Sequence, residues 1–199
     1  MSETPRWTRP RLPLAALILV TASCDVSTTL PPANVPVAQQ RITLYALTGT
    51  PVSTPSGYNM LQLGEVRTNV SNNFDFVMDI GIDSTFGVGN KGDTVIVLLP
   101  RGAVGFVEDG GLQWTLAEFD SIAVAPVTGY EQVKPTRIRQ GDVVLAASRR
   151  QTCDDASSHP RYAKMNIQAV DLVTRSVVIL VVIDPNCGYR SFKAGIPVL

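Results

Sequence analysis

Residues 163–184 read AKMNIQAVDLVTRSVVILVVID, and the fold class turns on how they are taken. In the first half, Met165, Ile167 and Ala169 alternate with Lys164, Asn166 and Gln168. A period of two places successive side chains on opposite faces of a strand. The second half, Ser176 to Asp184, is apolar at nearly every position and rich in β-branched residues. That is the pattern of a central strand covered on both sides. Val173, Thr174 and Arg175 between them are few enough for a hairpin. After the second strand, DPNCG (Asp184 to Gly188) is a strong turn signal, with proline and asparagine suited to the central positions.

The same pattern extends outward. FDFVMDIGI (Phe74 to Ile82) puts Phe74, Phe76, Met78, Ile80 and Ile82 on one face. Asp75, Asp79 and Gly81 share the other, where the carboxylates are expected to meet water. ITLYAL from Ile42, YNMLQLGEV from Tyr58, TVIVLLP from Thr94, AVGFVE from Ala103, SIAVAPV from Ser121 and DVVLAAS from Asp142 are further short strand candidates between turn-rich loops. No segment keeps a helical period over several turns. TLAEFDSI has capping-box spacing at Thr115 and Glu118, but β-branched residues and Pro126 follow, so one helical turn is the most it predicts. About eight to ten short strands predict an all-β domain, an antiparallel β-sandwich or a barrel-like form. No internal repeat of fixed period is present.

The chain has 199 residues, 45% of them hydrophobic, enough for one domain with a sizeable core. Its 17 basic and 17 acidic side chains balance, so nothing points to nucleic acid. Arg6, Arg9 and Arg11 crowd the first eleven residues, with Glu3 against them. Removing residues 1–23 takes away those four charges and leaves 14 basic and 16 acidic groups.

That N-terminus has the layout of a secretory signal peptide: a positive start, an apolar run from Leu12 to Ala22, then small residues. The run falls short of the roughly 20 residues a transmembrane helix needs. VTASC, Val20 to Cys24, resembles the lipobox of bacterial lipoproteins, with Thr21 standing where that family usually carries leucine. The resemblance covers residues 1–25 alone. It implies a diacylglycerol on the Cys24 sulfur, cleavage before Cys24 by signal peptidase II, and an acylated N-terminus held on a membrane. Ordinary signal peptidase cleavage, which would release a soluble protein, is the rival reading. Asp25 resembles the inner-membrane retention signal of enteric lipoproteins. The expected location is the bacterial cell envelope, with the domain facing the periplasm or the cell surface. Residues 25–40, DVSTTLPPANVPVAQQ, read as an extended tether. The division predicted is signal peptide 1–23, lipidated cysteine and tether 24–40, and a single β-domain 41–199.

Three cysteines in an exported chain leave one over. With Cys24 carrying lipid, Cys153 and Cys187 remain as a pair that an oxidising compartment can join. Such a bridge would stabilise the fold by about 3–4 kcal/mol on a chain-entropy estimate. A redox or metal role for the pair is the alternative, without a CxxC and with His159 the sole histidine.

GVGNKG (Gly87 to Gly92) has GxGxxG spacing, but the strand-like DTVIVLL follows it where a dinucleotide site needs a helix. It reads as a hairpin loop, and no cofactor is assigned. His159 lies in a polar loop near Asp154, Asp155, Ser157 and Ser158, with no Gly-x-Ser-x-Gly elbow to support a hydrolase triad. Carboxylate pairs such as Asp79/Asp83 and Asp154/Asp155 could serve a glycoside hydrolase or hold calcium, though no EF-hand spacing occurs. No catalytic residue or metal ligand is assigned. Trp114, Tyr162, Tyr189 and Phe192 are candidate binding aromatics, since exposed rings recognise sugars and proteins. The expected function is that of a lipid-anchored envelope protein with a non-catalytic binding or structural β-domain. A carbohydrate-binding module and an envelope hydrolase are the alternatives, and the ligand or protein partner is open.

Overall fold

The 163–184 stretch folds as the hairpin its two patterns predict. In the computed structural model, which describes residues 30–83 and 92–197, β11 (Tyr162–Asp171) and β12 (Ser176–Asp184) pair antiparallel. The Asp171 carboxylate accepts from the amides of Val173 and Thr174 and so builds the turn. A bulge between Ile167 and Ala169 shifts the register of β11. On β12, Val177, Ile179, Val181 and Ile183 are fully buried on one face, and Val182 is buried on the other.

The remaining strands among the described residues are β1 (Ala38–Tyr45), β2 (Gly57–Asn59), β3 (Gly64–Val66), β4 (Phe76–Ile82), β5 (Thr94–Pro100), β6 (Gly111–Thr115), β7 (Thr136–Ile138), β8 (Val143–Ala147), β9 (Gln151–Thr152) and β10 (Ser158–His159). They form two five-stranded antiparallel sheets, ordered β1-β12-β11-β8-β6 and β3-β2-β4-β5-β7, with β9 and β10 as a separate two-stranded ribbon. The two sheets pack face to face as a β-sandwich. Each keeps two edges, so the barrel alternative falls away. The shared core contains Leu44, Tyr58, Phe76, Met78, Ile80, Leu98, Met165 and the inner face of β12. Each such side chain contributes about 1.5–3 kcal/mol relative to full exposure.

Several expectations shift. AVGFVE is not a strand; residues Arg101–Val104 form a 3-10 turn ending at Gly105 in the left-handed region. SIAVAPV contributes one isolated bridge, Val124 to Ser191, after a 3-10 turn at Phe119–Ser121. Thr115 lies in β6, and its hydroxyl accepts from the Ala117 amide instead of capping a helix. GVGNKG lies outside the described residues except for Gly92. The strands on either side of it, β4 and β5, pair in register from Phe76↔Pro100 to Ile82↔Thr94, which is a hairpin and not a strand–helix unit.

The carboxylates of the 74–83 segment are buried rather than solvated: Asp75 is 3% exposed, Asp79 4% and Asp83 7%. The second face of this sheet is covered by its own small cluster, Phe74, Val77, Val95, Val97 and Leu99, with Ala103 and Val104 over it. Phe74 therefore leaves the face that the alternation gave it, and Ile82 at the strand end is half-exposed. The buried carboxylates are hydrogen-bonded. Asp79 accepts from the amide and hydroxyl of Thr48 and from the Ile80 amide. Asp75 accepts from the Met60 amide at 2.6 Å and, across the sandwich, from the Arg149 amide at 2.8 Å, with the Arg149 guanidinium 3.5 Å away. At the opposite end, Arg175 in the β11–β12 turn donates to the carbonyls of Thr48 and Ile80. The two sheets are thus clamped at both ends.

Removing the Asp75 carboxylate leaves the Met60 and Arg149 amides without their acceptor and the Arg149 guanidinium without its counter-charge. Asp75→Ala should cost about 3–5 kcal/mol, read as a lower urea midpoint with an unchanged slope. Asp75→Asn keeps one acceptor oxygen and should cost less. An unchanged midpoint for the alanine variant would refute the clamp.

Candidate functional site

The best-defined polar constellation lies where β12 ends and the chain's N-terminal part meets the sandwich. Within DPNCG, the Asp184 carboxylate accepts from both the amide and the side-chain amide of Asn186, 3.0 and 2.7 Å. That fixes the Asn186 side chain, which acts like one more peptide group toward residues 33–37. Its Oδ1 accepts from the amides of Asn34 and Val35, and its Nδ2 donates to the Val35 carbonyl at 2.7 Å. The Ala33 amide donates to the Tyr189 hydroxyl, and the Val37 amide to the Gly195 carbonyl. Residues 33–37 are therefore a strap held by the segment after β12. β1 itself begins at Ala38, so the stretch read as tether to residue 40 joins the fold several residues earlier. Residues 1–29, with the expected signal peptide and Cys24, lie outside the described residues.

Cys153 and Cys187 form a disulfide, Cα–Cα 5.9 Å, across a sequence separation of 34. It joins the β9–β10 ribbon to the turn that carries Asn186. Between ribbon, turn and strap lies a crevice of about 290 Å³ lined by Pro31, Asn34, Cys153, Asp154, Arg161 and Asn186. Arg161 donates through Nη1 to the Leu61 carbonyl at 2.6 Å, while its buried Nε has no hydrogen-bond partner among the described residues. Nor has Oδ2 of Asp184, a residue with no exposed surface. Burial raises the Asp184 carboxyl above its ordinary range, opposed by the Asn186 hydrogen bonds and by Arg161. Burial likewise lowers the Arg161 guanidinium, offset by Asp184 and Asp75.

No acid–base relay is assembled there. Asp155 bonds to the amide and hydroxyl of Ser157, and no hydrogen bond links His159 to either residue. Among the described residues no three His, Cys, Asp or Glu side chains converge as metal ligands.

The four candidate binding aromatics do not form an exposed row. Tyr162, Tyr189 and Phe192 are 7%, 5% and 6% exposed, while Trp114 on the edge strand β6 is 46% exposed. Tyr162 and Phe192 pack with Ala125, Leu145, Ala147 and Val182 over the outer face of the β12-containing sheet. Lys164 lies under the same cover: its ammonium donates to the carbonyls of Phe119 and Ile122 and sits 4.5 Å from the Phe119 ring centre. These rings seat the chain's own loops, so their burial removes the coplanar row that sugar stacking requires. Sequence reading marked the cysteines and Tyr189 but passed over Asn186, Asp184 and Arg161. The turn motif around Asn186 was the one available signal.

No protein-family model matches the chain, and no curated protein matches it in sequence. The fold alone sets its class, an antiparallel β-sandwich.

Two outcomes follow from this geometry. The folded state binds a proton on Asp184 before the unfolded chain does, so this group's contribution falls as pH rises above the ordinary carboxyl range. Asp184→Asn should therefore raise Tm relative to the parent more at pH 8 than at pH 4; a difference independent of pH would sink the assignment. In Cys153→Ser/Cys187→Ser the Asn186 turn loses its covalent brace. That variant should lose about 3 kcal/mol and become sensitive to protease within residues 30–37 before the β-core is cut, and simultaneous cutting of strap and core would contradict it.

Proposed function

We propose that this chain is a lipid-anchored bacterial cell-envelope protein whose β-domain has a binding or structural role. The observation that carries the reading is the pairing of Cys153 with Cys187. Of three cysteines it leaves Cys24 over, and Cys24 follows the apolar run and small residues that resemble a lipobox. Acylation of its sulfur adds about 0.8 kcal/mol of membrane affinity per buried CH2, so two or three acyl chains hold the protein firmly. Signal peptidase II and the lipoprotein-processing enzymes are the implied processing partners. The domain would face the periplasm or the cell surface.

Carboxylate-based hydrolysis gains no support from Asp75, both of whose oxygens accept backbone amides, or from Asp79, whose Oδ1 accepts from Thr48 and the Ile80 amide. The non-catalytic reading stands ahead of it.

Mass spectrometry of the protein extracted from membranes of its native host should show an N-terminus at Cys24 carrying diacylglycerol. Cys24→Ala should move the protein from the membrane to the soluble or uncleaved fraction. An unmodified Cys24 in the mature protein would refute the anchor.

A further inference from the structure

We infer that a second groove, next to the strap, is a docking face for an anionic lipid bilayer; this rests on the anchoring reading above. The groove has a volume of about 520 Å³ and is lined by Leu30, Val124, Arg190, Lys193, Ile196 and Pro197, among others. Its base is rigid. Residues 123–125 and 190–192 are laced by Ala125 N–H to Arg190 C=O, Phe192 N–H to Ala123 C=O and the Val124–Ser191 bridge. On that base Val124 and Ile196 are 53% and 56% exposed.

The charged side chains that line the groove among the described residues have one sign. Arg190 and Lys193 line the groove, and among the described residues no carboxylate does; Asp154 lines the crevice at the disulfide instead. Arg190 is held by a bond from its Nη1 to the Ala125 carbonyl at 2.8 Å. Lys193 is exposed and has no ion-pair partner among the described residues. Two cations beside exposed aliphatic side chains match the headgroup zone of a bilayer, with phosphate outside and acyl carbon beneath.

Reach selects the bilayer over other anionic partners. Leu30 lines the groove itself, and it stands only six positions after Cys24. Six fully extended steps along the chain span at most about 21 Å. With Cys24 acyl chains in the membrane, this end of the sandwich stays within that distance of the headgroups. The β11–β12 turn lies a nine-residue strand away, about 30 Å farther.

The test uses the full lipidated protein in vesicles, with a single environment-sensitive label. Ile196→Cys places it in the groove, and Val173→Cys, 93% exposed in the far turn, is the control. In phosphatidylglycerol vesicles containing headgroup-quencher lipid, the label at 196 should be quenched and that at 173 should not. Quenching at 196 should be lost in phosphatidylcholine vesicles, in about 1 M salt, where screening acts within about 3 Å, and on adding Lys193→Glu, whose Tm should match the parent. Equal quenching at 196 and 173 in vesicle-bound protein would overturn the docking face while leaving the anchor intact. Protein that fails to stay with the vesicles at all would instead overturn the anchor, and the docking face with it.

Discussion

A carboxylate almost without access to water keeps the two sheets of this sandwich together at one end. Asp75 takes one amide from its own sheet and another from the facing sheet, where the Arg149 guanidinium partly offsets its charge. Burial raises its carboxyl above the ordinary range, with the Arg149 hydrogen bond and charge opposing. The arrangement is a compromise: apolar packing would hold two sheets at many relative offsets, whereas these directed bonds are satisfied at one. Arg101 strengthens the same corner, donating to the carbonyls of Asn72 and Phe74 and lying over the rings of Phe74 and Phe106.

The outer face of the β12-containing sheet follows a different rule. Its cover consists of loops rather than a helix or a third sheet, and it is pinned by a buried lysine. Lys164 satisfies its ammonium with two carbonyls and aromatic faces, so a charge sits where apolar residues would be expected. Burial lowers its basicity. Of the four aromatics that the sequence suggested for binding, Tyr162 and Phe192 are part of this cover.

Strand periodicity carried the reading where a segment was long. β4, β11 and β12 were legible because seven to ten residues repeat one pattern. β6 was passed over: it opens on glycine and exposes Trp114, so it shows little alternation. AVGFVE and SIAVAPV were overread, since brief apolar clusters broken by glycine or proline pack equally well as turns. Parity placed Asp75 and Asp79 opposite the core side chains, yet it carries no information about what lies over that second face. The disulfide was legible by counting cysteines. Asn186 was legible only as a turn residue, because its other bonds depend on where a segment more than 150 positions away returns.

The strap also decides how the domain bears load. A pull on the N-terminus reaches the Ala33–Tyr189 bond first, then the three hydrogen bonds of Asn186 and the Val37–Gly195 bond, and only then the ladder that starts at Ala38↔Ile183. Those bonds would open one after another, while the Cys153–Cys187 link keeps the Asn186 turn from being dragged along. Tension is thus spent on a short sacrificial segment before it can shear the first strand from the sheet.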